Sequence, residues 1–68
     1  MSQQEKTLSV LRRQQVQERT GLSRSSIYHL IKHGAFPRQI QLSARSVGWL
    51  SNEIDTWLST RIAKSIRI

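Results

Sequence analysis

The sequence predicts a mainly helical fold with a small β-hairpin, that is, a winged helix–turn–helix with three short helices. Two helix-forming segments are separated by a tight turn at 21–23, which is the spacing of a helix–turn–helix. Two β-prone runs follow at 38–42 and 47–50, and their short link predicts a hairpin, or wing. The last segment, 51–62, carries apolar residues at helical spacing.

Composition limits the possible functions. The 68 residues allow one small domain with a thin core. Eleven Lys and Arg against four Asp and Glu give a formal net charge of +7, so a polyanion is the expected partner. The chain has no cysteine, which excludes a disulfide framework and a thiolate metal site. No apolar run approaches the roughly 20 residues of a membrane span and no signal-peptide core is visible, so we expect a cytoplasmic protein without membrane contact.

The domain organisation is predicted in three parts. Residues 1–7 are polar and aperiodic, and we expect a disordered N-terminal segment there. Residues 8–62 are expected to form the winged helix–turn–helix, and residues 63–68 a frayed, basic C-terminal end. At the start of the domain, the apolar segment Leu8–Leu11 could be a small strand or an extended lead-in that covers one end of the core.

The predicted helix–turn–helix depends on the residues that begin and end its two helices. The first helix, Arg13 to Arg19, has Val16 as its only clearly apolar residue, so its prediction depends on the stop at Gly21, where positive φ is available. Ser23 is the predicted N-cap of the second helix. That helix carries an apolar stripe and should end with a glycine at its C′ position; these residues are Ile27, Leu30, Ile31 and Gly34.

The opposite face of the second helix is polar. At about 100° per residue, Ser25, His29 and Lys32 point away from the apolar stripe, with Tyr28 and His33 on its flanks. Arg24 lies nearer the stripe, but in the first turn it is long enough to reach outward. A helix with a packed back and a partly cationic, hydrogen-bonding front suits entry into a DNA major groove.

The second half of the chain supplies the wing and the last helix. Arg38 and Arg45 lie on or beside the predicted hairpin and would make the wing basic. Ser51 is the predicted N-cap of the last helix, whose apolar face is Ile54, Trp57, Leu58 and Ile62. The whole predicted core is Leu11, Val16, Leu22, Ile27, Leu30, Ile31, Phe36, Ile40, Leu42, Val47, Trp49, Ile54, Trp57 and Leu58.

Several stretches form one composite pattern: 19–31 (RTGLSRSSIYHLI), Gly34 with Phe36-Pro37, Val47-Gly48-Trp49, and 53–58 (EIDTWL). From about Leu11 to Arg61 this pattern resembles the AlpA family of prophage regulators, whose members are similar to MerR-type winged-helix proteins and phage excisionases. The resemblance implies a bacterial, nucleoid-associated DNA-binding transcriptional regulator of a prophage or genomic island, which acts on integrase expression, on excision, or on both. It assigns recognition-helix roles to Arg24, Ser25, Tyr28, His29 and Lys32, and wing roles to Arg38 and Arg45.

Individual residues keep two interpretations each. Arg24 can read guanine or clamp a phosphate, and phosphate contacts are the commoner of the two. Ser25 and Ser26 can donate to phosphates near the helix N-terminus or can simply be first-turn residues. Tyr28 can contact DNA or pack, half-buried, on the first helix. Lys32 can bind a phosphate or remain solvated.

Other chemistry is disfavoured. His29 and His33 have a spacing that can bind metal, but no third ligand is apparent, so no metal or other cofactor is expected. Trp49 and Trp57 are expected in the core rather than as base-stacking residues. Arg61, Lys64 and Arg67 are expected to be a solvated C-terminus more than a phosphate-binding patch. No catalytic constellation is visible, so no enzyme is expected.

The expected partner is therefore double-stranded DNA, together with further copies of the protein if binding is cooperative. Integrase or RNA polymerase are further possible partners. The alternative from another class is a small basic protein-interaction module, or an architectural excision factor, that binds integrase or RNA polymerase with incidental DNA contact. RNA binding is a weaker alternative, because no exposed aromatic sheet is predicted.

Overall fold

The computed structural model describes residues 9–65 and contains three helices and three strands. In chain order they are β1 (Val10–Leu11), α1 (Arg13–Thr20), α2 (Arg24–Lys32), β2 (Ile40–Ser43), β3 (Ser46–Leu50) and α3 (Ser51–Lys64). The predicted mainly helical class with a winged helix–turn–helix is confirmed. The predicted disordered segment 1–7 lies outside the described residues, as do residues 66–68 of the predicted frayed end.

The turn between α1 and α2 has the predicted chemistry. Gly21 has φ +77°, and its N–H donates to the Gln17 carbonyl at 2.8 Å, which ends α1. Ser23 caps α2, because its hydroxyl accepts the Ser26 N–H at 3.1 Å. These local bonds fix the direction in which α2 leaves the turn.

The end of α2 is equally well defined. Gly34 has φ +69° and donates its N–H to the Ile31 carbonyl at 3.0 Å, while the Ala35 N–H donates to Leu30 at 2.8 Å. This pair of bonds is a Schellman motif, so the predicted glycine at C′ is confirmed.

The loop that follows α2 is held by two tryptophans. The indole N–H of Trp57 donates to the Ala35 carbonyl at 2.8 Å, and that of Trp49 donates to the Pro37 carbonyl at 3.0 Å. The path of the chain from α2 to β2 is therefore fixed at two carbonyls.

The strands form one antiparallel sheet in the order β1-β3-β2. Val10 pairs with Leu50 and Leu11 with Trp49, so the apolar segment before α1 is a short strand. At Gly48 the neighbouring strands come close: a Cβ atom there would lie 2.5 Å from Val10 Cγ1 and 3.0 Å from the Leu11 carbonyl oxygen. The sequence needs glycine at this position because the sheet leaves no room for a side chain.

The core lies between the helices and one face of this sheet. Its buried residues are Leu11, Val16, Ile27, Phe36, Trp49 and Ile54, all of them predicted. Further predicted core residues are partly buried against them, namely Leu22, Leu30, Ile31, Val47, Trp57 and Leu58. α1 contributes a single buried side chain, Val16, as its sequence suggested.

The predicted burial of Leu42 was wrong. Leu42 is 44% exposed, because β2 is an edge strand with an irregular register between Gln41 and Ser43. Ile62, predicted on the apolar face of the last helix but not in the core, is 55% exposed in the last turn of α3. Predicted core residue Ile40 is only half-buried.

The predicted N-cap of α3 was also wrong. Leu50 occupies the cap position, and Ser51 is already helical. β3 runs into α3 with no connecting residue, and the Ser51 N–H donates to the Ser9 carbonyl at 2.8 Å. A backbone acceptor from the residue before β1 thus satisfies the donor that starts this helix.

Candidate nucleic-acid interface

The front of α2 is an exposed polar face. Ile27 is fully buried beneath the helix, while Ser25, His29 and Lys32 are exposed on the opposite side. The capped turn and the Schellman motif hold both ends of the helix, so these three side chains are presented by a fixed element. The structure brings together the three residues that the helical phase placed on one face.

Arg24 and Tyr28 lie on the side of α2 that faces the sheet. Tyr28 is half-buried, and its ring meets the Trp49 ring edge-on, with centroids 6.3 Å apart at an angle of 61°. The Arg24 guanidinium carbon lies 5.8 Å from the Tyr28 ring centroid. Tyr28 therefore packs against Trp49 of β3 and also supports the exposed Arg24.

The two serines of the first turn differ. Ser25 is exposed beside His29. Ser26 is half-buried, and its hydroxyl lies 3.0 Å from the Ser23 hydroxyl, as part of the hydrogen-bonded cap. Of the two, Ser25 is the one whose hydroxyl is free of these cap bonds.

The two histidines are stacked one turn apart on α2. Their ring centroids are 4.3 Å apart, and the His33 Nδ1–H donates to the His29 carbonyl at 2.9 Å. Within residues 9–65, no cluster of three or more metal-ligating side chains includes them. His33 lies against the helix backbone, and His29 is the histidine on the front.

The two predicted wing arginines are separated in the structure. Arg45 lies in the turn between β2 and β3, exposed, and its N–H donates to the Ser43 hydroxyl at 3.3 Å. Arg38 precedes β2 and lines a groove between the loop after α2 and one side of α3. Arg45 is therefore the arginine at the tip of the wing, and Arg38 belongs beside α3.

Arg61 is the residue near this surface that sequence reasoning undervalued. It is exposed, and its guanidinium carbon lies 4.7 Å from the Trp57 ring centroid. The same arginine borders a shallow depression that also includes Ser25 and His29 of α2. The i, i+4 spacing of Trp57 and Arg61 was a signal for the cation–π pair. Only the folded structure shows that Arg61 borders the same depression as residues of α2.

Few of the positive charges are neutralised internally. In the described residues the only ion pair joins Arg19 to Asp55 at 2.8 Å, and both side chains are largely exposed. The cations on α2, at the wing tip and along α3 have no such carboxylate partner between residues 9 and 65. They remain available to an external anion.

None of the helices between residues 9 and 65 combines the length and the apolar composition that a membrane span requires. The described surface presents the exposed face of α2, whose two ends are fixed by hydrogen bonds, beside the β2–β3 hairpin with Arg45 at its tip. This fold and this surface define a small winged helix–turn–helix protein of the DNA-binding type.

Comparison with known proteins identifies the family. Residues 9–62 match the family described as prophage CP4-57 regulatory protein (AlpA), so the chain belongs to the AlpA family, as its sequence pattern suggested. An uncharacterized protein of Enterobacteria phage P4, ORF88, is 47% identical over 53 residues, or 78% of this chain and 60% of that protein. The DNA-binding transcriptional activator AlpA of Escherichia coli strain K12 is 38% identical over 58 residues, or 76% of this chain and 83% of that protein.

Proposed function

We propose that this protein is a sequence-specific DNA-binding transcriptional regulator of a prophage or genomic island. The observation that carries the proposal is the exposed face of α2, where Ser25, His29 and Lys32 stand together on a helix fixed at both ends. A helix of this kind in a helix–turn–helix enters the major groove and reads base edges. Membership of a family described as a prophage regulatory protein supports the genetic setting.

The same membership supports a proposal about the target. The Escherichia coli relative is named as a DNA-binding transcriptional activator. We infer that this protein acts on integrase expression, on excision, or on both, and that it works at the bacterial nucleoid. Integrase and RNA polymerase are its candidate protein partners in these roles.

The residues divide by the contacts they can make. His29 and Lys32, at the centre of the front, are placed to meet bases or the phosphates beside them. Arg24, supported by Tyr28, faces a flanking strand, and Ser25 and Ser26 sit at the N-terminus of α2, where backbone N–H groups favour phosphate. Arg38 and Arg45 contact the backbone outside the major groove.

The size of the domain predicts assembly on DNA. One small module buries only roughly 600–1,000 Å² against DNA, which limits its specificity. We therefore propose that two or more copies bind cooperatively to repeated sites. Analytical ultracentrifugation that finds one protein per site, with no cooperativity in the titration, would contradict this.

The test is fluorescence anisotropy on DNA from upstream of the protein's own gene and of the nearest integrase gene. Scrambled duplex serves as competitor, and the titration is repeated across a salt series. If four to six phosphates are neutralised, log K should fall with log salt at a slope of about −4 to −5, since each phosphate contributes about −0.9. Binding to one fragment should survive the competitor.

The decisive variant is His29→Ala with Lys32→Ala, which should abolish the preference for that fragment. Its matched control is Arg13→Ala with Gln14→Ala, which also truncates one cation and one further polar side chain, both of them exposed on α1 and away from the front of α2. Loss of preference in both variants, or in neither, would contradict the assignment of α2 as reader. Wild-type binding that the scrambled duplex removes completely would favour the protein-interaction or architectural alternative.

A further inference from the structure

We propose that Arg38, Arg61 and Lys64 form a second phosphate-binding edge, which holds the sugar–phosphate backbone of the DNA strand on the α3 side of α2. This inference rests on the proposed function, because it concerns how the same DNA is held. Arg38 then belongs to this edge rather than to the wing, and Arg61 and Lys64 of α3 join the interface.

Arg38, Arg61 and Lys64 lie at one place on the surface. These three cations line one groove between the loop after α2 and one side of α3, and the floor of the groove includes Phe36 and Trp57. Glu53 is the one carboxylate that lines it, so the described part of the groove carries a net positive charge. Three neighbouring cations repel one another, and a phosphate that binds among them relieves this repulsion.

Arg61 is held in place before any ligand arrives. Trp57 is fixed by its bond to the Ala35 carbonyl and by an edge-on contact with Phe36, whose ring centroid is 4.8 Å away. Arg61 lies over this fixed ring at 4.7 Å. A guanidinium over an aromatic ring still has N–H donors for a phosphate, and this contact lowers the side-chain entropy lost on binding.

Arg61 also lies next to the front of α2. Arg61 borders the same depression as Ser25 and His29, whereas Arg24 lies on the opposite, sheet-facing side of the helix. A helix in the major groove lies between two phosphate backbones. Arg24 and Arg61 would each meet one of them, and Lys64, one turn beyond Arg61, extends the contact along the strand.

The same basic groove could attract an acidic protein segment. The position of Arg61 beside His29 favours DNA. When α2 lies in the major groove, the sugar–phosphate backbone that borders this groove would run past Arg61. Contact with a phosphate also makes a specific numerical prediction, since each neutralised phosphate contributes about −0.9 to the slope of log K against log salt.

The experiment measures that slope for Arg61→Gln by anisotropy, on the preferred fragment and on scrambled duplex. Arg13→Gln is the matched control: it removes the same charge from an exposed arginine of α1 whose Nε donates to Gln17. Circular dichroism of each variant checks that it is folded. Arg61→Gln should lower the magnitude of the slope by about 0.9 and weaken binding roughly tenfold on both duplexes, because phosphate contacts carry no sequence information. Lys64→Gln should act in the same direction.

An Arg61→Gln slope and affinity equal to those of Arg13→Gln would overturn the proposal and leave the groove to a protein partner. Failure of the proposed function gives a different result. In that case the wild type does not distinguish the two duplexes, while the difference between the Arg61 and Arg13 variants still reports on the edge.

Discussion

The two tryptophans of this protein hold the same loop, but one is buried and the other lies at the surface. Trp49 is fully buried in the sheet, whereas Trp57 lies half-buried at the surface of α3. Each donates its indole N–H to a carbonyl of the loop after α2, Trp49 to Pro37 and Trp57 to Ala35. The loop is thus held from the core and from the surface at once.

What differs is the cation that each ring supports. Trp49 packs against Tyr28, which in turn lies beneath Arg24. Trp57 carries Arg61 directly on its ring. Each flank of α2 thus has its own aromatic support. Trp49 contributes mainly to stability, and Trp57 mainly to the placement of a surface charge.

The largest expected effect comes from Trp49→Ala. Removal of a large buried aromatic side chain costs about 3–5 kcal/mol. A domain of this length has a total stability of roughly 3–10 kcal/mol, so the variant should be largely unfolded. Urea denaturation followed by circular dichroism measures this. A loss below about 1 kcal/mol would remove the basis of the comparison, because Trp49 would then be no more important to stability than a surface residue.

Trp57→Phe should have an intermediate effect. An aromatic ring remains beside Phe36 and Arg61, although phenyl is smaller than indole, and the Ala35 carbonyl loses its donor. The net value of such a bond is about 0.5–1.5 kcal/mol. Urea denaturation of the variant beside the wild type measures the loss, and a loss as large as that of Trp49→Ala would show that the two rings have the same role.

Arg61→Gln should have the smallest effect on stability. A cation–π contact at an exposed site contributes about 0.5–1 kcal/mol, and the glutamine keeps part of the packing. The midpoint of urea denaturation should therefore stay close to that of the wild type, although we expect DNA affinity to fall. A large drop in stability would mean that Arg61 is a structural residue.

Local chemistry explains why the helix–turn–helix could be predicted from the sequence. Gly21, Ser23 and Gly34 act through bonds to residues three or four positions away, so their roles are visible in the sequence itself. The exposed face of α2 followed from helical phase for the same reason. Neither needs knowledge of the rest of the fold.

Long-range packing explains the errors. The predicted burial of Leu42 failed because its strand is an edge, and the predicted cap Ser51 failed because β3 joins α3 directly. The gathering of Arg38 and Arg61 along one groove depends on how α3 packs against the loop after α2. No periodicity in a single segment contains that information.

The sheet order also determines how the chain must assemble. β1 and β3 are neighbours although they lie at the beginning and near the end of the domain, and the Ser9–Ser51 bond extends their pairing into the first turn of α3. The helix–turn–helix and the hairpin join near neighbours in sequence, whereas this pairing must close a long stretch of chain at an entropic cost. We therefore expect the first strand to dock late in folding. During synthesis β1 and the helix–turn–helix leave the ribosome before β3, the strand that pairs with β1, has been made. A nascent chain therefore acquires its complete core only after α3 has emerged.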